Sequence, residues 1–158
     1  MTFPELVVFD LDFTLWDCGG TWCDCLRPPF LKKEGQFFDS DGRHLTLYSD
    51  VLAILDDVDD LGLPMALASR TERPDWAREL LKLFGIQDRF PYQEIYPGSK
   101  VKHLKKISDL SRVPLDKMLF FDDEHRNLAD LRPYGVRCQH VASGMSEELF
   151  SEGLELFA

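Results

Sequence analysis

The chain has 158 residues, 44% hydrophobic and 29% charged, which fits one globular domain with a sizeable core. Its 18 basic against 28 acidic residues give a net charge of −10, arguing against a broad nucleic-acid-binding face. No apolar run is long enough to span a bilayer and no basic-then-apolar leader follows Met1, so no membrane partner is expected and the cytosol is the default location.

The first recognisable element is Leu6–Phe9 (LVVF), an apolar run without alternation that suits a strand buried on both faces. It stops abruptly at Asp10, with Asp12, Thr14 and Trp16 following. Two carboxylates at such a strand tip are costly unless they meet a cation, a proton or water. The stretch after Trp16 is irregular, with Gly19-Gly20 and Pro28-Pro29 as breakers. Within it, two apolar runs flank Asp39-Ser40-Asp41-Gly42, a hairpin signal, so a small β-flap is expected over residues 17–47.

The flap carries Cys18, Cys23 and Cys25; the fourth cysteine is Cys138. A disulfide framework is not expected in a leaderless domain of this size. A zinc site would need a fourth ligand, and the spacing matches none of the strong patterns, so reduced thiols packed in a loop are expected. Trp16 and Trp22 suit either a substrate mouth or the core.

Ser49 is placed to cap a helix ending near Gly62, with Val51, Leu52, Leu55 and Val58 as its apolar stripe. Pro64–Ala68 predicts a second strand, with Ser69, Arg70 and Thr71 at its tip. Pro74 opens a helix with Ala77, Leu80, Leu81 and Phe84 on one face. Tyr92–Tyr96 reads as an edge strand closed by Pro97-Gly98. Ser99 then starts a helix with Val101, Leu104, Ile107 and Leu110 inward and Lys102, Lys105 and Lys106 solvated. Met118–Phe121 is a fully apolar strand ending in Asp122, Asp123 and Glu124. A short helix around Asn127–Leu131, a strand over Val136–Val141 and a closing amphipathic helix over Ser146–Phe157 complete the chain. None of the four histidines shows ligand spacing.

Strands alternating with helices imply an α/β fold with a parallel sheet covered on both faces. The tips of its main strands would then converge on one edge, bringing together Asp10, Asp12, Ser69, Arg70, Asp122 and Asp123, with Lys100 at a helix start beside them. Carboxylate oxygens suit a hard cation such as Mg²⁺, while a lysine and a serine can hold phosphate oxygens.

DLDFT, with Ser69, Lys100 and Asp122-Asp123 in order after it, resembles the motif set of the haloacid dehalogenase superfamily of phosphohydrolases. FDLDFTLW, LASRT, EIYPGSK and FFDDEHRN are similar to its magnesium-dependent, acid phosphatase-like branch, and the resemblance is weakest over Cys18–Arg43. It implies one domain over residues 1–158, a three-layer Rossmann-like sheet and no large cap. It also implies that Asp10 attacks phosphorus to form an aspartyl-phosphate. Asp12 would act as acid and then base, and Asp10, the Asp12 carbonyl and Asp123 would hold Mg²⁺. Ser69, Arg70 and Lys100 would bind phosphate, with Thr14, Asp122 and Asn127 in support. The implied substrates are phosphotyrosine-type or sugar phosphates. Separately, no apolar surface helix is left over in the sequence, so a monomer is expected. A receiver domain would place its acid pair first and its lone acceptor later, the reverse of the order here. An idle interaction domain would not need every chemical position intact. A phosphotransferase of this fold would usually carry a helical cap.

Overall fold

The computed structural model describes residues 2–158. Its centre is a five-stranded parallel sheet in the order β7-β6-β1-β8-β9. The strands are β1 (Leu6–Phe9), β6 (Met65–Ser69), β7 (Tyr92–Ile95), β8 (Met118–Asp122) and β9 (Arg137–His140). Because side chains alternate along β1, Val7 and Phe9 enter one apolar layer and Leu6 and Val8 the other. This double burial explains why β1 reads as an unbroken apolar run.

On the first face lie α1 (Val51–Asp60), α2 (Pro74–Leu83) and α5 (Glu147–Glu155), which bury Ile54, Leu55, Leu80, Leu81 and Phe150 against Phe9 and Phe121. On the second lie α3 (Lys100–Ser111) and α4 (His125–Leu131), packing Leu104, Ile107, Leu128 and Leu131 onto Leu6, Val8 and Phe120. This is the expected α/β three-layer arrangement, and the described residues include no large cap.

The flap is larger than the hairpin signal implied. It is a four-stranded antiparallel sheet in the order β2-β5-β4-β3. The expected hairpin is β4 (Gln36–Phe38) with β5 (His44–Leu47), joined by β2 (Trp16–Cys18) and β3 (Leu31–Lys33). Phe84 ties this sheet to α2, lying 5.9 Å from the Trp16 ring and 5.5 Å, edge-on, from that of Phe37.

Other expectations need correcting. The residue before α1 is Asp50, not Ser49, and its carboxylate accepts from the Glu147 amide at 3.1 Å. Leu52 is exposed and Ile54 takes its place inward. In α3, Leu110 is exposed and Val101 only half-buried; the buried face is Lys100, His103, Leu104 and Ile107. Those positions have the i, i+3, i+4, i+7 spacing of one helical stripe, entered from a lysine that meets carboxylates inside.

Candidate active site

At the carboxyl ends of β1, β6 and β8 the chain opens a cleft of about 270 Å³, where ligands bind in sheets of this kind. Asp10, Asp12, Ser69, Arg70, Lys100, Asp123 and Asn127 line it, with Trp22, Asp24, Glu72, Glu124 and Arg126 towards the mouth. Thr14 and Asp122 are wholly buried just behind it.

Asp10 is the fixed point. Its Oδ1 accepts from Lys100 Nζ at 3.0 Å and its Oδ2 from Thr14 Oγ1 at 3.2 Å. Lys100, 1% exposed, also donates to the Ala68 carbonyl at 2.7 Å and to Asp122 Oδ2 at 2.8 Å, so its three N–H bonds are all taken. Burial alone would lower this ammonium, but Asp10 and Asp122 outweigh it and hold Lys100 above its ordinary range. A polar chain continues outward: Asn127 Nδ2 donates to Asp122 Oδ2 at 3.1 Å and Arg70 Nη1 to Asn127 Oδ1 at 3.1 Å. Ser69 Oγ, nearly buried, accepts from the Thr71 amide at 3.3 Å, which leaves its own hydroxyl proton to give.

Asp10, Asp122 and Asp123 each offer an oxygen within 4.8 Å of the others, a set that suits a hard cation. Burial, then the Asp122 charge, raises the Asp10 carboxyl well above its ordinary value despite Lys100, and burial raises Asp123 to about 6. Crowded acids of this kind are stabilised by a cation or a proton. The three are not equivalent. Both Asp122 oxygens already accept N–H bonds, Oδ1 from the Glu124 amide at 2.9 Å and Oδ2 from Lys100 and Asn127.

Asp12 has its own surroundings. Trp16 Nε1 donates to Asp12 Oδ1 at 2.8 Å and the Cys23 amide to the same oxygen at 3.0 Å. Burial raises its carboxyl to about 6, against the pull of those two N–H groups. The loop is tight: Phe13 has a left-handed φ of 62°, and its amide bonds the Trp16 carbonyl at 2.9 Å. Trp16 is thus core, whereas Trp22 is 52% exposed at the mouth and stands edge-on to Phe13.

The site also uses residues not anticipated from sequence. Cys23 Sγ lies 3.4 Å from Thr71 Oγ1, and Asp24 Oδ2 accepts from the Glu72 amide at 3.2 Å, docking the flap on the loop after β6. The buried His103 ring reaches the Tyr96 and Ser99 carbonyls at 2.8 and 2.7 Å, fixing the turn that presents Lys100. Among the described residues, the flap thiols form no metal-ligand cluster; Cys18 and Cys23 are buried and Cys25 is exposed.

A family model described as acid phosphatase matches residues 2–158. Over 157 residues the chain is 43% identical to the human protein named magnesium-dependent phosphatase 1, covering 98% of this chain and 88% of that one. Solved structures share the fold at lower identity. A haloacid dehalogenase superfamily hydrolase from Ehrlichia chaffeensis superposes with a TM-score of 0.70 at 12% identity, over 99% of this chain and 98% of that one. The N-terminal, phosphatase-domain part of a Bacteroides fragilis protein, complexed with Mg, has a TM-score of 0.66 at 16% identity; it covers 99% of this chain, which spans 41% of that one. The chain belongs to the acid phosphatase family, phosphatases built on the haloacid dehalogenase fold.

Proposed function

We propose that the protein hydrolyses phosphomonoesters with Mg²⁺, through a phosphoryl group carried briefly on Asp10. The observation that carries this reading is the state of Asp10, a carboxylate at the cleft floor with both oxygens held, by Lys100 and Thr14, beside two further acids. Asp10, the Asp12 carbonyl and Asp123 would hold the metal. Asp122, wholly buried and outside the cleft lining, supports from behind. When bound, Mg²⁺ supplies positive charge between two anions, the nucleophile and the ester.

A carboxylate oxygen of Asp10 attacks phosphorus while the bond to the leaving oxygen breaks. Ser69 and Arg70 bind the phosphoryl oxygens, as donors facing the cleft. Lys100 restrains Asp10, and it reaches the phosphoryl group by exchanging one of its existing bonds. Asp12 protonates the leaving oxygen and then takes a proton from the water that releases phosphate, a dual task suited to a group near 6.

The open cleft with exposed Trp22 at its mouth supports phosphotyrosine-type substrates, and it admits sugar phosphates as well. Four free cysteines suit a reducing, cytosolic setting. The exposed large apolar side chains, such as Phe3, Leu52 and Leu110, are spread over separate elements, as in a monomer.

Assays on p-nitrophenyl phosphate with Mg²⁺ or EDTA, beside Asp10→Asn and Asp12→Asn, test the chemistry. Activity should vanish with EDTA and with Asp10→Asn; activity surviving both rejects the mechanism. A phosphate-ester panel tests substrate class, and turnover confined to sugar phosphates rejects phosphotyrosine.

A further inference from the structure

We infer that Trp16 is a positioning residue that makes Asp12 present its proton from one particular oxygen, Oδ2, to the leaving group. The inference rests on Asp12 being the acid of the reaction proposed above. Trp16 is wholly buried, and a buried indole N–H needs an acceptor. Its acceptor is Asp12 Oδ1 at 2.8 Å, and the Cys23 amide adds a second bond to that same atom at 3.0 Å. No donor binds Oδ2. Among the described residues every side-chain oxygen or nitrogen sealed from solvent has a hydrogen-bond partner, so Oδ2 must reach the open space of the cleft that Asp12 lines.

An oxygen that already accepts two N–H bonds is the worse place for a proton. The neutral carboxyl therefore carries its hydrogen on Oδ2, facing substrate. As the P–O bond breaks, the leaving oxygen takes that hydrogen and the electron pair of the O–H bond stays on the carboxylate. The new charge is shared with Oδ1, where the indole and the amide receive it. The chain makes this arrangement locally. The Phe13 amide bonds the Trp16 carbonyl, the Trp16 amide bonds the Leu11 carbonyl at 3.4 Å, and the left-handed Phe13 closes the loop. Trp16 is also the first residue of β2, paired with Leu47, so the flap sheet holds the ring that holds the acid.

Trp16→Phe removes the N–H while keeping an aromatic ring. The readout is kcat/KM, which stops at formation of the phosphoenzyme, for an ester with a poor leaving group (glycerol phosphate) against one with a good leaving group (p-nitrophenyl phosphate). Loss of a bond to a charged group should lower the former about tenfold or more and the latter less than about threefold. The ratio of the two is independent of how much of the variant is folded, so a poorly folding preparation still decides. Equal losses on both esters would reduce Trp16 to a core residue and overturn the inference.

A second measurement uses the unaltered Trp16: the indole N–H resonance in ¹⁵N spectra should move on Asp12→Asn and stay slow to exchange in the parent protein. An unmoved resonance overturns the assignment. If Asp12→Asn itself leaves the ester ratio unchanged, Asp12 is not the acid, and the failure lies in the reaction proposed above, with which this inference falls.

Discussion

Replacing Lys100 by methionine keeps most of the side-chain volume and removes the one ammonium shared by Asp10 and Asp122. Lys100 is 1% exposed, Asp122 0% and Asp10 8%, so water cannot readily take its place. Removing one partner of a buried ion pair leaves an uncompensated charge and costs about 3–5 kcal/mol. For a chain of this length each kcal/mol moves the melting temperature by about 2–4 °C, so Lys100→Met should melt about 6–20 °C below the parent. The penalty also depends on pH. Asp10 is already raised by burial and by Asp122, with Lys100 opposing; without the lysine its carboxyl rises further and takes up a proton more readily. The deficit should therefore be largest near pH 7.5 and shrink towards pH 5. Urea unfolding in EDTA at both values measures it. A loss below about 1 kcal/mol, or one that does not change with pH, would refute the reasoning that Lys100 neutralises this pair.

Metal-free stability should itself fall with rising pH. Burial raises Asp12 from its ordinary 3.8 to about 6, so the folded state binds that proton more tightly. Its contribution is full below about pH 4 and lost as pH rises through about 6, about 3 kcal/mol from this group alone; melts in EDTA across that window check the sign. Gly153→Ala should destabilise despite its better helix propensity, because a Cβ there would lie 2.6 Å from the Phe121 ring, itself stacked on Phe9 at 5.4 Å. A loss of about 1–3 kcal/mol in urea unfolding is expected, and a gain would contradict it. Thiol titration of the native protein should show one fast cysteine, Cys25, since Cys18, Cys23 and Cys138 are buried and burial raises their thiols.

Much of the sheet was legible because β1, β6 and β8 are unbroken apolar runs ending in polar residues, a pattern that double burial imposes. The geometry brings every candidate site residue to one sheet edge, including Lys100 from a different element. What stayed hidden follows a physical logic. The outer flap strands β2 and β3 are three residues long, too short for alternation to register, and every residue of β3 is exposed. Hydrophobicity alone points Leu52 and Leu110 inward, yet their helices bury Ile54 and His103 instead. In α3 the stripe begins with a lysine and a histidine, polar residues that apolar patterning passes over, although their spacing fits the buried face. Trp16 suits either mouth or core by sequence, and the structure places it in the core with its indole N–H 2.8 Å from Asp12 Oδ1.

The central claim is that Asp10 carries the phosphoryl group. Asp12→Asn, which lacks the base for the second step, should accumulate the acyl phosphate when mixed with substrate and Mg²⁺. Acid quenching, borohydride reduction and peptide mapping by mass spectrometry would then find homoserine at position 10, and none with EDTA. Turnover in the parent protein with position 10 unmodified, or a phosphoryl group mapped to another residue, would contradict the account.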